Sequence, residues 1–154
     1  MDTLYQEIIL DHYRNPVGKG LREPFEAEVH HVNPTCGDEI TLRVHLDGAG
    51  DAATVADISY DNQGCSISQA SASVMFELLR DRPVSTDLGT HEQFLALMQS
   101  ATEGPAELDE DVLGDALAFS GVAQYPARIK CALLPWMAWK DAVSQALAQG
   151  GTDD

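Results

Sequence analysis

The sequence predicts an α+β fold, in which a three-stranded antiparallel sheet has helices packed on one face. Three segments, over 25–31, 39–46 and 57–61, alternate apolar with polar residues, as strands with one buried face do. The connections over 33–37 and 47–51 are short enough for hairpins, which favours antiparallel pairing of neighbouring strands. After Cys65 the apolar residues change to helical spacing, and these helices are expected to cover the sheet.

Helices are expected on both sides of the strands. The first begins near Thr3 and ends before Asn15-Pro16, because a residue that precedes proline is disfavoured in helical conformation. A second helix begins directly after Cys65, and a long amphipathic helix follows from Pro126 onward.

The length of 154 residues fits a single domain. We expect this domain to span 1–148, with a flexible tail over 149–154. The segment 83–104 carries one short helical pattern between turn residues and is interpreted as an inserted flap. Pro135 cannot donate the helical hydrogen bond to the carbonyl of Cys131, so the last helix is expected to kink or restart there.

Charge and hydropathy exclude several classes of function. Nine Lys and Arg against 25 Asp and Glu give a net charge of −16, which repels phosphate backbones and anionic lipids. Nucleic-acid and membrane partners are therefore not expected. The longest nearly apolar stretch, 131–139, is about half as long as a bilayer span, and the N-terminus lacks the features of a signal peptide. We expect a cytoplasmic protein, whose cysteines stay reduced.

The three cysteines, Cys36, Cys65 and Cys131, all stand at the boundaries of predicted elements. Cys36 lies in the first hairpin turn, Cys65 just before a helix, and Cys131 near the start of the last helix. A cysteine that serves only as a small hydrophobe is more usual within an element. With Asp38, the three thiolates make a plausible tetrahedral ligand set, and sulfur-rich donors favour zinc or an iron–sulfur cluster over calcium or magnesium.

Such a site needs positive potential nearby, because three thiolates and a carboxylate carry more charge than one divalent ion neutralises. Arg128, three residues before Cys131, is one candidate source. The dipole of the helix that follows Cys65 is the other. Both are expected to lower the pKa of the thiols.

The sequence around each cysteine resembles a known family. Asn33-Pro34-Thr35-Cys36-Gly37-Asp38, Gly64-Cys65-Ser66-Ile67-Ser68-Gln69-Ala70-Ser71 and Arg128-Ile129-Lys130-Cys131-Ala132-Leu133 are similar to the three cysteine motifs of the SufU/IscU (NifU N-terminal-like) family of iron–sulfur cluster assembly. The segment 4–16 also resembles the first helix of that family. The resemblance covers nearly the whole chain and implies the SufE/IscU-like fold.

Three features resemble the SufU branch of this family more than its scaffold branch. Lys130 stands where scaffold proteins carry a histidine, 125–128 replaces their chaperone-recognition segment, and the gap between Cys65 and Cys131 is long. The resemblance implies a zinc-dependent sulfurtransferase that accepts persulfide sulfur from a SufS-type cysteine desulfurase, with a downstream Suf scaffold as recipient. The zinc ligands that it implies are Cys36, Asp38, Cys65 and Cys131.

Cys36 is the expected sulfur acceptor, because its turn lets it swing while Cys65 and Cys131 are tied to helix ends. By the resemblance, a histidine of the desulfurase takes the zinc position that Cys36 vacates. Two alternatives stay open. One is a scaffold that binds iron and a transient 2Fe-2S cluster through the same residues, and the other is a purely structural zinc site without sulfur transfer.

The five histidines are not expected to bind this metal. His30 and His31 are adjacent on a strand and point to opposite faces, so they cannot share one ion. His45 and His91 are expected to be solvated. His12 ends the first helix, where a cation suits the helix dipole, although a docking role for this segment is an alternative.

Overall fold

A computed structural model describes residues 3–34, 37–103 and 109–152. None of the helices within these ranges combines the length and the apolar character needed to cross a membrane. The chain begins with a helix and three strands, α1 (Thr3–Arg14), β1 (Ala27–Asn33), β2 (Asp38–Asp47) and β3 (Thr54–Gln63). It continues with α2 (Ser66–Leu79), α3 (Val84–Glu103), α4 (Glu110–Leu113), a 3-10 helix (Gly114–Gln124) and α5 (Pro126–Thr152), and a shorter 3-10 turn, Gly50–Ala52, precedes β3.

The strands form one antiparallel sheet in the order β1-β2-β3, as predicted. Alternate residues of β2 are fully buried, among them Leu42 and Val44, while Thr41 and Arg43 between them keep partial exposure. The helix α5 packs along β1 and β2, so it covers the buried face. The predicted α+β fold with helices on one face of the sheet is confirmed.

The segment 83–104 is more helical than the sequence predicts. In place of one short helix between turns, α3 is a continuous helix of 20 residues. Phe94 at its middle is fully buried and stacks on Trp136 of α5, with the ring centroids 4.3 Å apart. The first half of α3 contains a glycine and two threonines, which are weak helix formers. Its stability therefore depends on packing against the rest of the domain, which a local pattern does not reveal.

His91 on α3 is buried, so the prediction that it is solvated is wrong. Its side chain lies in the core at 2% exposure, and its Nε2 atom is 3.1 Å from the carbonyl oxygen of Trp136. The imidazole also stacks on Trp139, with ring centroids 5.9 Å apart. Burial is the main cause that lowers the pKa of His91. The neutral ring can thus donate its Nε2 proton to the carbonyl of Trp136.

The helix α5 runs through Pro135 and continues past residue 148 to Thr152. A restarted helix at Cys131 is therefore not observed, and the kink, which was the alternative, stays a prediction. A side-chain network crosses from α2 at this place, where the hydroxyl of Ser71 donates to the carbonyl oxygen of Ala132 at 2.6 Å. The indole Nε1 of Trp136 donates to the same hydroxyl oxygen at 3.0 Å. These bonds join α5 to α2 in the turn that proline weakens.

Candidate metal centre

Three chain segments meet at one end of the sheet. Asp38 is the first residue of β2 and pairs with Asn33 at the end of β1. Cys65 is the N-cap of α2, and Cys131 lies in the second turn of α5. One ligand atom from each of Asp38, Cys65 and Cys131 lies within 4.8 Å of the other two. The structure thus brings together three of the four predicted ligands, while the fourth, Cys36, lies outside the described residues.

Asp38 is fully buried and is bonded to the start of α2. Its Oδ1 atom accepts a hydrogen bond from the backbone N–H of Cys65 at 2.9 Å, and its Oδ2 atom is 3.9 Å from the Sγ atom of Cys65. Gly64 makes this approach possible, because its φ of +143° disfavours other residues and a Cβ atom there would collide with the Asp38 carboxylate. The Gly64-Cys65 segment therefore positions both possible metal ligands, the Asp38 carboxylate and the Cys65 thiol.

Cys131 is buried at 2% exposure and contacts Asn33, a residue that the sequence patterns did not single out. The side-chain Nδ2 atom of Asn33 is 3.9 Å from the Sγ atom of Cys131, and the carbonyl oxygen of Ala127 is 3.7 Å from the same sulfur. The sulfur therefore has one possible donor, the Asn33 amide, which favours the thiolate, and one possible acceptor, the Ala127 carbonyl, which favours the thiol. The sequence feature that could have predicted this contact is the position of Asn33 in the first cysteine motif, directly before Pro34.

Cys65 is exposed and gives access to the centre from solvent. A cavity of about 230 Å³ adjoins it, lined by Cys65, Ser66, Ile67, Arg128 and Cys131. Arg128 therefore lies beside the two thiols, as predicted. Arg128, as a lining residue of this cavity, and the N-terminal dipole of α2 both place positive potential at this side of the centre.

The donor set fits zinc. Zinc bonds to sulfur and oxygen are about 2.0–2.3 Å long, so tetrahedral ligand atoms lie about 3.3–3.8 Å apart. The 3.9 Å between Asp38 Oδ2 and Cys65 Sγ is close to that separation and needs only small side-chain movements. Two sulfurs next to one carboxylate do not suit calcium or magnesium, which take oxygen ligands. Asp38, Cys65 and Cys131 can therefore hold zinc together with a fourth ligand.

Comparisons with known proteins agree with this geometry. The family model described as NifU-like N terminal domain matches residues 4–132. The chain is 41% identical over 147 residues to the zinc-dependent sulfurtransferase SufU of Bacillus subtilis, which covers 94% of this chain and 92% of that protein. It is 36% identical over 154 residues to the iron-sulfur cluster assembly scaffold protein IscU of Streptococcus pyogenes serotype M1, which covers 99% and 91% of the two chains.

A solved structure supports the same relationship. The chain superposes with a TM-score of 0.77 and 33% identity on a crystal structure from Fervidobacterium islandicum AW-1, described as a proposed iron-sulfur cluster assembly scaffold protein for the SUF system. The match covers 89% of this chain and 94% of that one. The chain therefore belongs to the NifU-like N-terminal domain family, which contains the SufU and IscU proteins of iron–sulfur cluster assembly.

Proposed function

We propose that this protein is a zinc-dependent sulfurtransferase that accepts persulfide sulfur from a SufS-type cysteine desulfurase and delivers it to a downstream Suf scaffold. The observation that carries the proposal is the meeting of Asp38, Cys65 and Cys131 within 4.8 Å, beside the hairpin that contains Cys36. The similarity to the SufU protein of B. subtilis supports it. The proposal places this transfer in the cytoplasm, where thiols stay reduced.

Cys36 is proposed as the fourth ligand and the sulfur acceptor. It stands two residues before Asp38, and consecutive Cα atoms are about 3.8 Å apart, so the chain keeps its Cα atom within about 7.6 Å of that of Asp38. Its hairpin is closed by a hydrogen bond from Gly37 N–H to the Asn33 carbonyl oxygen at 2.9 Å. The other two cysteines belong to α2 and α5, so Cys36 is the ligand whose release disturbs the fold least.

The proposed transfer is a thiol–persulfide exchange. The thiolate of Cys36 attacks the outer sulfur of the persulfide on the desulfurase cysteine, and a new sulfur–sulfur bond forms. The bond between the two sulfurs of the original persulfide breaks, and the desulfurase cysteine leaves as a thiolate. The exchange therefore needs no external oxidant or reductant. When bound, zinc supplies the chemistry that keeps its ligand thiols ionised at neutral pH.

Other residues of this chain have separate parts in the proposal. Arg128 in the cavity beside Cys65 attracts an anionic persulfide towards the centre. The amide of Asn33 stabilises negative charge on the sulfur of Cys131. Asp38 stays bonded to the N-terminus of α2, so this part of the centre keeps its shape while Cys36 moves.

A scaffold function is the second candidate, because the chain is also 36% identical to the IscU scaffold of S. pyogenes. In that case the same four residues would bind iron and a transient 2Fe-2S cluster. A scaffold reconstituted with iron and sulfide would develop visible absorbance and would release the cluster to an acceptor protein. A sulfur acceptor would instead remain colourless and stimulate the desulfurase.

We expect the Cys36→Ala variant to lose its stimulation of a SufS-type desulfurase. The reason is that the attacking sulfur is removed, so turnover should fall to the rate of the desulfurase alone. The measurement is alanine formation from cysteine with zinc-loaded proteins, together with mass spectrometry for added sulfur on Cys36. The matched control is Ser66→Ala, which alters the wall of the cavity beside Cys65 but removes no thiol.

Unchanged stimulation by Cys36→Ala would contradict the acceptor role of Cys36. If wild type itself fails to stimulate the desulfurase but transfers a reconstituted cluster, the scaffold function is correct. If wild type does neither and yet binds zinc, the centre is structural.

A further inference from the structure

A second group of metal-binding side chains lies where α1, α2 and the 3-10 helix meet. His12, Glu77 and Asp115 each offer one ligand atom, and these atoms lie within 4.8 Å of one another. Glu77 follows Cys65 by twelve residues along the chain, and a helix rises about 1.5 Å per residue, so the group lies about 18 Å along α2 from the thiol centre. The two groups are therefore too far apart to share an ion.

His12 distinguishes this group from an ordinary patch of surface acids. Its side chain is only 5% exposed, with the Nε2 atom 2.9 Å from Asp115 Oδ2 and the Nδ1 atom 2.7 Å from the Ser73 hydroxyl oxygen. That hydroxyl oxygen also accepts the backbone N–H of Val17 at 2.8 Å, which holds Ser73 in place. A metal-binding histidine is commonly oriented in this way, with one ring nitrogen on the ion and the other in a hydrogen bond.

The carboxylates supply access and charge. The side chains of Glu77 and Asp115 are 45% and 52% exposed, so an ion can reach them from solvent. Two ligands with bonds of about 2.1 Å to one ion lie about 3.0–3.4 Å apart, close to the present distance between His12 Nε2 and Asp115 Oδ2. An ion can thus replace the Nε2 proton with little movement of His12 and Asp115, and the other ring nitrogen can then donate to Ser73. The Oε1 atom of Glu77 lies 3.7 Å from Nδ1, so its exposed side chain must turn towards Nε2 to complete the site.

We propose that His12, Glu77 and Asp115 form a second binding site for one divalent transition-metal ion, of the class that includes zinc, cobalt(II) and iron(II). One imidazole and two carboxylates are harder donors than thiolates, so this site binds such ions more weakly than the cysteine centre. The bound ion joins α1 to α2 and to the 3-10 helix. It also offsets part of the net charge of −16.

The test starts from full-length protein that already carries one zinc ion per chain at the cysteine centre. We expect calorimetric titration with further zinc to show one additional, weaker binding event. Asp115→Asn removes a ligand charge at nearly constant volume and is expected to weaken that event at least about tenfold. Asp111→Asn, which removes an exposed acid from the neighbouring α4, should bind as wild type does.

Cobalt(II) added to the zinc-loaded protein locates the second ion. We expect paramagnetic shifts of the His12 ring protons without the near-ultraviolet charge-transfer band of cobalt thiolates. Circular dichroism checks that Asp115→Asn is folded, and Glu77→Gln replaces it if it is not. The proposal is overturned if no second ion binds, if both Asp→Asn variants bind equally, or if the added cobalt shows the thiolate band.

Discussion

Replacing Cys131 or Cys65 by serine is expected to weaken zinc binding by about 100-fold or more. Structural zinc sites with four ligands have apparent binding free energies of about 10–16 kcal/mol, so one ligand contributes roughly 3 kcal/mol. At about 1.4 kcal/mol for each factor of ten in affinity, that loss corresponds to about two orders of magnitude. The measurement is competition for zinc against a chromophoric chelator of known affinity.

The two cysteine variants should differ in stability. Cys65 is exposed, so a serine hydroxyl there remains hydrated. Cys131 is 2% exposed, so a hydroxyl in its place is buried and is compensated only in part by the Ala127 carbonyl and the Asn33 amide. We expect it to cost the zinc-free fold about 1 kcal/mol. Urea unfolding of the metal-free proteins separates this cost from the loss of zinc.

Two further variants complete the affinity measurement. Asp38→Asn keeps the oxygen that accepts the Cys65 N–H but replaces Oδ2, the atom that faces the Cys65 sulfur, with an amide nitrogen that cannot bind zinc. Its zinc affinity should therefore fall about as far as in the cysteine variants. Ser66 lines the cavity beside Cys65 but is not a proposed ligand, so Ser66→Ala should retain the zinc affinity of wild type. If Cys131→Ser binds zinc as tightly as wild type does, Cys131 is not a ligand and the proposed centre is wrong.

A second large effect is expected in the pH dependence of stability. The free energy of unfolding of wild type should fall as the pH rises from about 4 to 8, and that of Asp87→Asn should not show this fall. Asp87 is fully buried near the start of α3, and neither carboxylate oxygen has a hydrogen-bond partner among the described residues. Burial raises the pKa of Asp87 from its ordinary value of 3.8 to about 8. The folded protein therefore keeps a proton on this carboxyl at neutral pH.

The sign of this effect follows from proton linkage. Between the two pKa values the folded state holds a proton that the unfolded chain has released, so the free energy of unfolding falls as the pH rises. One pKa unit corresponds to about 1.4 kcal/mol, which makes the total loss a few kcal/mol by pH 8. An asparagine at position 87 does not ionise, so its variant should not show this slope.

His91 produces the opposite slope at lower pH. Because burial lowers its pKa, the folded state resists protonation of the ring, and this contribution to stability is lost as the pH falls below about 6.5. The cysteine thiols of the unfolded chain also take up protons below about pH 8.5, so the difference between the profiles of wild type and Asp87→Asn from pH 6.5 to 9, rather than either profile alone, isolates Asp87. Urea unfolding of zinc-loaded wild type and Asp87→Asn over this range is the measurement, with the exposed Asp61→Asn as control. Parallel profiles for wild type and Asp87→Asn would contradict the protonated carboxyl.

Local sequence signals predicted the elements that position the cysteine centre. The end of α1 at Arg14 before Asn15-Pro16, the three strands, and the start of α2 after Cys65 are all confirmed. Each of these elements depends on the backbone preferences of a few neighbouring residues or on a short hydrophobic period. Both kinds of signal act between residues that are close in sequence. The cysteine motifs also predict Asp38, Cys65 and Cys131 as ligands, and the structure brings these three residues within 4.8 Å of one another.

Contacts between distant segments were beyond these signals. The burial of His91 and the full length of α3 depend on packing against α5, and the bond between His12 and Asp115 joins residues 103 positions apart. The sequence by itself therefore determined the order of the elements and the residue types of the centre, because backbone preferences and donor chemistry are local properties. Only the tertiary structure decided which polar side chains are buried and what they contact, because burial depends on the side chains that the rest of the fold places around them.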